Sequence, residues 1–194
     1  MILKNSEILL TEPRGFCAGV ERAIEIVNRA VEVFDETIFV KHEVVHNKHV
    51  IEQLVEKGVV FVESLETVPD QSILIYSAHG VSKEISELAT KKRLKVFDAT
   101  CPLVTKVHFE IHKFASQNID VVLVGHSGHP EVEGTMGQYI SEKGKIHLVE
   151  TNDDIDKLKI ENENIAYVTQ TTLSVDDTKS ICLLYTSDAA DEMR

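Results

Sequence analysis

The stretch Glu12-Pro-Arg-Gly-Phe-Cys17-Ala-Gly-Val20 sets the pattern of the chain. It stands between an apolar strand candidate, Ile8 to Thr11, and a periodic apolar run that opens near Gly19, so Cys17 falls at a strand-to-helix junction. Backbone N–H groups and the helix dipole at such a junction favour an anion, which suits a sulfur that attacks carbon or ligates metal. The junction recurs at Phe97-Asp-Ala-Thr-Cys101-Pro-Leu-Val104, where Pro102 fits the first helical position because no N–H is needed there. His46 follows Cys17 by 29 residues and His129 follows Cys101 by 28, each in a polar loop after a strand-like run. Two copies of one βα-rich module are expected, the first over 1–100 and the second over 101–181.

The remaining rhythm agrees. Ala23, Ile24, Val27, Ala30, Val31 and Phe34 recur at three and four, which predicts a helix, and a second helix carries Val50, Leu54 and Val55 inward. Short apolar runs predict strands at Ile38–Val40, Val59–Val62, Ile73–Tyr76, Lys95–Phe97, Ile119–Val124, Ile146–Val149 and Ile165–Val168. Ser82 and Ser174 are candidate helix caps, the latter for a last helix from Val175. Strands alternating with helices predict an α/β fold of repeated modules with mainly parallel sheets, whose ligands bind beyond the carboxyl ends of the strands. Cys17, His46, His79, Cys101, His129 with Glu131, and Thr171 with Thr172 all follow strand candidates, so one shared site is expected.

A formal charge of −12 argues against a nucleic-acid or anionic-membrane surface, because such binding is dominated by phosphate neutralisation. It leaves room for a small phosphorylated ligand in a local pocket. No apolar run approaches the ~20 residues of a membrane span, and a cytoplasmic protein is expected. Three cysteines in a reducing compartment read as metal ligands or reactive thiols rather than a disulfide framework.

Each motif has a bland reading. Cys17 and Cys101 as small core residues, the histidines as satisfied or surface groups, Glu131 as a solvated loop acid and the threonines as turn caps are all ordinary uses. The matched positions favour ligation by the two cysteines, although two thiols alone leave the metal open. His46, His79 and His129 with loop N–H groups suit a phosphate or diphosphate, and Glu131 suits proton transfer. His108 and His112, four apart, are expected on an exposed helix face.

Six motifs together carry a resemblance: Arg14-Gly-Phe-Cys-Ala-Gly-Val20, Glu43-Val-Val-His-Asn47, Ser77-Ala-His-Gly-Val-Ser82, Asp98-Ala-Thr-Cys-Pro-Leu-Val-Thr-Lys-Val-His108, Gly128-His-Pro-Glu-Val-Glu-Gly-Thr-Met-Gly-Gln138 and Thr169-Gln-Thr-Thr-Leu-Ser-Val-Asp-Asp-Thr178. From about Ile8 to Thr178 the chain resembles the 4-hydroxy-3-methylbut-2-enyl diphosphate reductases of the non-mevalonate isoprenoid pathway. The resemblance implies three α/β modules around a [4Fe-4S] cluster, with Cys17 and Cys101 as two of its three cysteine ligands. It implies His46, His79 and His129 around the substrate diphosphate, with Thr171 and Thr172 also in contact with substrate. Glu131, His129 and Thr171 are then the catalytic residues, and ferredoxin or flavodoxin the electron donor. The products are isopentenyl and dimethylallyl diphosphate.

The family places its third cysteine well beyond Thr172, in a third module. Residues 182–194 break the strand–helix rhythm and are read as a non-native tail, so Cys182 is not counted as that ligand and the chain is expected to be an incomplete copy. Two other functions are carried beside the reductase: an inactive metal-binding fragment of two modules, and a hydrolase with a cysteine nucleophile.

Overall fold

The structure is a computed structural model and describes residues 9–12, 14–160, 162, 164–174, 176 and 178. Helix α1 (Ala18–Val33) begins where expected, with Cys17 as its extended N-cap and the Glu21 N–H donating to the Cys17 carbonyl at 3.0 Å. Its buried residues, Ala23, Val27 and Ala30, are spaced three and four apart, so one stripe faces the sheet beside it.

Two parallel sheets form the frame. The first has strands β1 (Ile38–Lys41), β2 (Val60–Val62), β3 (Ile73–Tyr76) and β4 (Lys95–Asp98) in the order β2-β1-β3-β4. Helices α2 (Lys48–Glu56) and α3 (Lys83–Lys91) make two of its crossovers, capped by the Asn47 and Ser82 side chains, which accept from the Val50 and Ile85 N–H groups. After α4 (Pro102–Ser116), the second sheet has β5 (Asp120–Val124), β6 (Ile146–Val149) and β7 (Ile165–Thr169) in the order β6-β5-β7. Helices α5 (Pro130–Met136) and α6 (Asn152–Ile155) connect these strands.

The interior strands β3 and β5 are buried along their length and, Asp120 apart, apolar, as a parallel strand covered on two faces must be. Ile73, Leu74 and Ile75 are fully buried, and each contributes about 1.5–3 kcal/mol relative to exposure. Every strand except the first expected one lies within a residue or so of its predicted place.

The exception is Ile8 to Thr11. Residues 9–12 form no strand, and Leu9 and Leu10 are 82% and 68% exposed. A strand exists only by pairing, and neither described sheet takes these residues as an edge; Ile8 lies outside the described residues. Val55 is also exposed, because inward positions at Val50 and Leu54 turn the next residue off the buried face. The expected last helix falls partly outside the described residues at Val175, but the Thr178 N–H donates to the Ser174 carbonyl at 3.2 Å in helical register. The tail with Cys182 lies wholly outside them.

His108 is not on an exposed face. Its Cε1 lies 2.7 Å from where a Cβ on Gly80 would stand, so that position, at φ +76°, is open to glycine alone. The His108 Nε2 is buried and has no hydrogen-bond partner among the described residues. Burial, then the nearby His112, pushes its pKa down to about 4, against a smaller opposing pull from Asp98. The folded state therefore favours the neutral ring. Full stability is present above the unfolded pKa near 6.5 and declines as pH falls towards 4, by about 3 kcal/mol from this residue. Urea unfolding of wild type and His108→Leu at pH 7 and pH 4.5 should show a smaller acid loss in the variant; equal losses would remove His108 as a cause.

Candidate active site at the strand ends

The polar motifs gather where parallel strands end. His46 follows β1 and precedes the α2 cap, His79 follows β3, His129 follows β5 as the N-cap of α5, and Thr171 and Thr172 follow β7. One cavity of about 320 Å³ is lined by Cys17, Gly19, His46, His79, Cys101, Glu131, Thr171 and Thr172, among others. An apolar cavity of about 360 Å³ between α1 and β4, lined by Ile26, Val33, Phe34 and Phe97, lacks this convergence of reactive groups.

The three histidine rings touch. Their centroids are 4.4 Å apart for His46–His79, 5.0 Å for His46–His129 and 5.4 Å for His79–His129. Burial is the main cause that pushes His79 down to about 3, helped by His46, His129 and His42; burial also lowers His129. These two rings are therefore neutral at pH 7 in the free protein.

The hydrogen bonds fix which atoms donate. The Glu131 N–H donates to His129 Nδ1 at 3.1 Å, so Nδ1 carries a lone pair and the neutral ring keeps its proton on Nε2. That Nε2 lies 3.1 Å from His46 Nε2. One potential ligand atom from each ring lies within 4.8 Å of the others, close enough to surround a metal ion. A metal, however, needs a lone pair where His129 presents a donor. The trio is better arranged for acceptor oxygens, such as those of a phosphate.

Glu131 is 3% exposed, and both its oxygens are engaged: Oε1 accepts from the Thr171 N–H at 2.6 Å and Oε2 from the Thr171 hydroxyl at 2.9 Å. Burial raises its pKa, and the two Thr171 bonds offset part of the rise. A carboxyl group readier to hold a proton, bonded to a hydroxyl that faces the cavity, is the basis of a proton relay. Thr172 is oriented by Gln170, whose amide donates to its hydroxyl at 2.7 Å and whose carbonyl accepts from the His126 N–H at 3.0 Å.

Cys101 caps α4 as Cys17 caps α1, and neither sulfur is used as a cap. The Cys101 N–H donates to the Ala78 carbonyl at 2.9 Å. Arg22 of α1 reaches across to donate to the carbonyls of Thr100 and Asp98, tying the approach to Cys101 to the helix that starts at Cys17. Gly19 lies between the thiols: a Cβ there would stand 2.6 Å from Cys101 Sγ and 3.9 Å from Cys17 Sγ. The missing side chain leaves space shared by both sulfurs. Among the described residues, no hydrogen bond joins either thiol to a histidine, so the nucleophile–base pair of a cysteine hydrolase is not present.

The chain matches a known group of proteins in sequence as well as in shape. The family model described as LytB protein matches residues 8–192. The chain belongs to the LytB family. Over 176 residues it is 61% identical to the 4-hydroxy-3-methylbut-2-enyl diphosphate reductase of Methylococcus capsulatus, covering 90% of this chain and 56% of that one. Over 175 residues it is 59% identical to the reductase of the same name from Aeromonas hydrophila, again covering 90% and 56%. The solved structure of the Plasmodium falciparum E-1-hydroxy-2-methyl-but-2-enyl-4-diphosphate reductase superposes with a TM-score of 0.82 at 45% identity, covering 94% of this chain and 55% of that one. The chain thus spans a little over half the length of these LytB relatives. Among the described residues, no helix is long and apolar enough to cross a membrane.

Of the site residues expected from the sequence, Cys17, Cys101, His46, His79, Glu131, Thr171 and Thr172 line this LytB cavity, and His129 packs its ring against His46 and His79. Missed were Gln170, Arg22 and the Ser77 hydroxyl, which lies 3.3 Å from His79 Nδ1. Gln170 was legible as a polar residue at a strand end; nothing in the sequence marked the reach of Arg22.

Proposed function

We propose that this chain supplies the diphosphate-binding and proton-delivering part of a 4-hydroxy-3-methylbut-2-enyl diphosphate reductase, an oxidoreductase of isoprenoid biosynthesis. The observation that carries this reading is the convergence of two thiols, His46, His79 and the Glu131–Thr171 pair on one cavity, with the His129 ring packed against both histidines.

In this reading His46, His79 and His129 receive the diphosphate, with the His129 Nε2–H as a donor to its oxygens. Thr171 contacts the substrate hydroxyl, and Thr172 holds ligand oxygens beside it. The Glu131 carboxyl passes a proton through the Thr171 hydroxyl to the departing oxygen, the C–O bond breaks, and water leaves. Two electrons and one further proton complete the product, isopentenyl or dimethylallyl diphosphate. Ferredoxin or flavodoxin is the proposed electron source, and the cytoplasm the proposed compartment.

Cys17 and Cys101, with the open space at Gly19, fit a sulfur-ligated iron–sulfur group, proposed as [4Fe-4S]. When bound, such a group supplies electrons and a Lewis-acidic iron. A third cysteine from the part of the family length that lies beyond the described residues is the proposed remaining ligand. The proposed modules are 1–100 and 101–181, the Arg22 bonds to Asp98 and Thr100 holding the end of the first against α1.

Diphosphate binding provides the test on this chain. His79 is neutral when free, and a bound anion favours its protonated form, so binding takes up a proton there, while His129 keeps its Nδ1 lone pair for the Glu131 N–H. The bound state then holds more protons than the free one, and affinity falls as pH rises, by about tenfold per pH unit for each proton taken up. Calorimetric titration with inorganic diphosphate in two buffers of different ionisation enthalpy measures this directly. Uptake that disappears in His79→Ala is expected; no binding, or binding without uptake, would overturn the reading.

A further inference from the structure

A hydroxyl behind the cavity wall bears on one of the three histidines. Ser77 follows β3 directly and is fully buried. The Gly80 N–H donates to the Ser77 carbonyl at 3.2 Å, closing a tight turn in which Gly80 takes φ +76°. The turn folds the His79 ring back towards Ser77, whose Oγ lies 3.3 Å from His79 Nδ1 in a buried contact. Among the described residues, that nitrogen is the one acceptor within hydrogen-bond reach of the Ser77 hydroxyl. Alanine would fill nearly the same space, so packing alone does not call for the oxygen.

The pair has two states. With the ring neutral, a buried O–H left without an acceptor costs more than an unfilled lone pair, so the hydroxyl donates to Nδ1. The ring proton then sits on Nε2, at the opposite edge of a side chain that lines the cavity. When an anion binds and the ring gains a second proton, Nδ1 becomes a donor. The hydroxyl turns about its C–O bond and presents a lone pair to it. The titratable groups that face His79 are His46 and His42 after β1 and His129 at the start of α5, with Glu131, Cys17 and Cys101 around the same cavity. Burial and the three histidines oppose a charge on His79, so its second proton depends on the anion and on a partner for Nδ1.

We propose that Ser77 is a positioning residue of the anion site: its hydroxyl donates to the neutral His79 ring and accepts from the protonated one, which lets a buried histidine meet a phosphate-type anion as an imidazolium. The proton comes from solvent, no covalent bond to the anion forms and no electrons move. This inference rests on the diphosphate reading above and adds the group that makes proton uptake at His79 possible.

The protons can be read directly. The 194-residue chain labelled with 15N-histidine gives two-bond 1H–15N spectra with and without inorganic diphosphate, and His79→Gln identifies the signals of that ring. Free His79 is expected with Nε2 protonated and Nδ1 bare, and bound His79 with both nitrogens protonated. Ser77→Ala should leave the ring singly protonated in both states and weaken diphosphate binding by at least about tenfold, the cost of an unmet bond to a buried charged group, with the melting temperature unchanged or raised. Ser77→Cys, close in size and far weaker as donor and acceptor, serves if the alanine variant does not fold. No binding, or no second proton on His79 in the parent, would overturn the diphosphate reading and this inference together. A second proton undiminished in a folded Ser77 variant, or a free His79 with its proton on Nδ1, would overturn the role of Ser77 alone.

Discussion

Replacing Glu131 by glutamine in this sequence extended to the relatives' length should leave substrate affinity nearly unchanged and lower kcat by about 10²–10⁴-fold, the usual contribution of a positioned acid. Glutamine is the informative choice. Its carbonyl oxygen still accepts the Thr171 N–H, and its NH₂ can donate to the Thr171 hydroxyl, which reverses to accept. The site keeps its shape while the transferable proton is gone. Truncation to alanine would instead empty a buried position and remove both acceptors that hold Thr171, mixing a folding cost with the chemical one. The split between an unchanged KM and a lowered kcat distinguishes proton delivery from substrate holding. A loss below about tenfold would take Glu131 out of the chemistry.

Gly19→Ala carries the second large effect, and here stability and function should part. Alanine is favoured over glycine in a helix by roughly 0.8–1 kcal/mol, so α1 itself does not suffer. The new methyl would lie 2.6 Å from Cys101 Sγ, closer than real Cβ contacts allow. The backbone at Cys101 is pinned by its N–H bond to the Ala78 carbonyl and by the start of α4, so the thiol must turn away. Anaerobic iron and acid-labile sulfide content of the family-length protein should fall to roughly a tenth, with melting temperature unchanged or raised. Normal iron loading in Gly19→Ala would show that the two sulfurs do not share a ligand.

Much of this site was legible before any coordinates. Cysteines at strand-to-helix junctions, and histidines, a glutamate and threonines just after strands, all belong to the local grammar of parallel α/β chains, in which each crossover returns the next strand end to the same side. Seven strands followed from short apolar runs for the same reason. What failed depended on partners that local sequence does not name. Ile8 to Thr11 has the composition of a strand, but pairing decides whether a strand forms, and no described edge receives it. His108 looked like a surface residue because a helix pattern cannot show that Gly80 leaves room for its ring. The tautomer of His129 was equally hidden, since it follows from a backbone bond made only once α5 begins at Pro130. His42 showed no motif at all; its contacts with Lys41 and Glu63 follow from a left-handed turn of its own backbone.

The most direct measurement is anaerobic iron and sulfide analysis with a visible spectrum, made on this sequence extended to the length of its relatives and on its Cys17→Ala and Cys101→Ala variants. Iron–sulfur absorbance in the parent that is lost in both variants is the expected result, because the two thiols bound one space at Gly19. A full and stable iron–sulfur centre in either variant would contradict it, and would leave the histidines and Glu131 facing a cavity whose cysteines serve some other purpose.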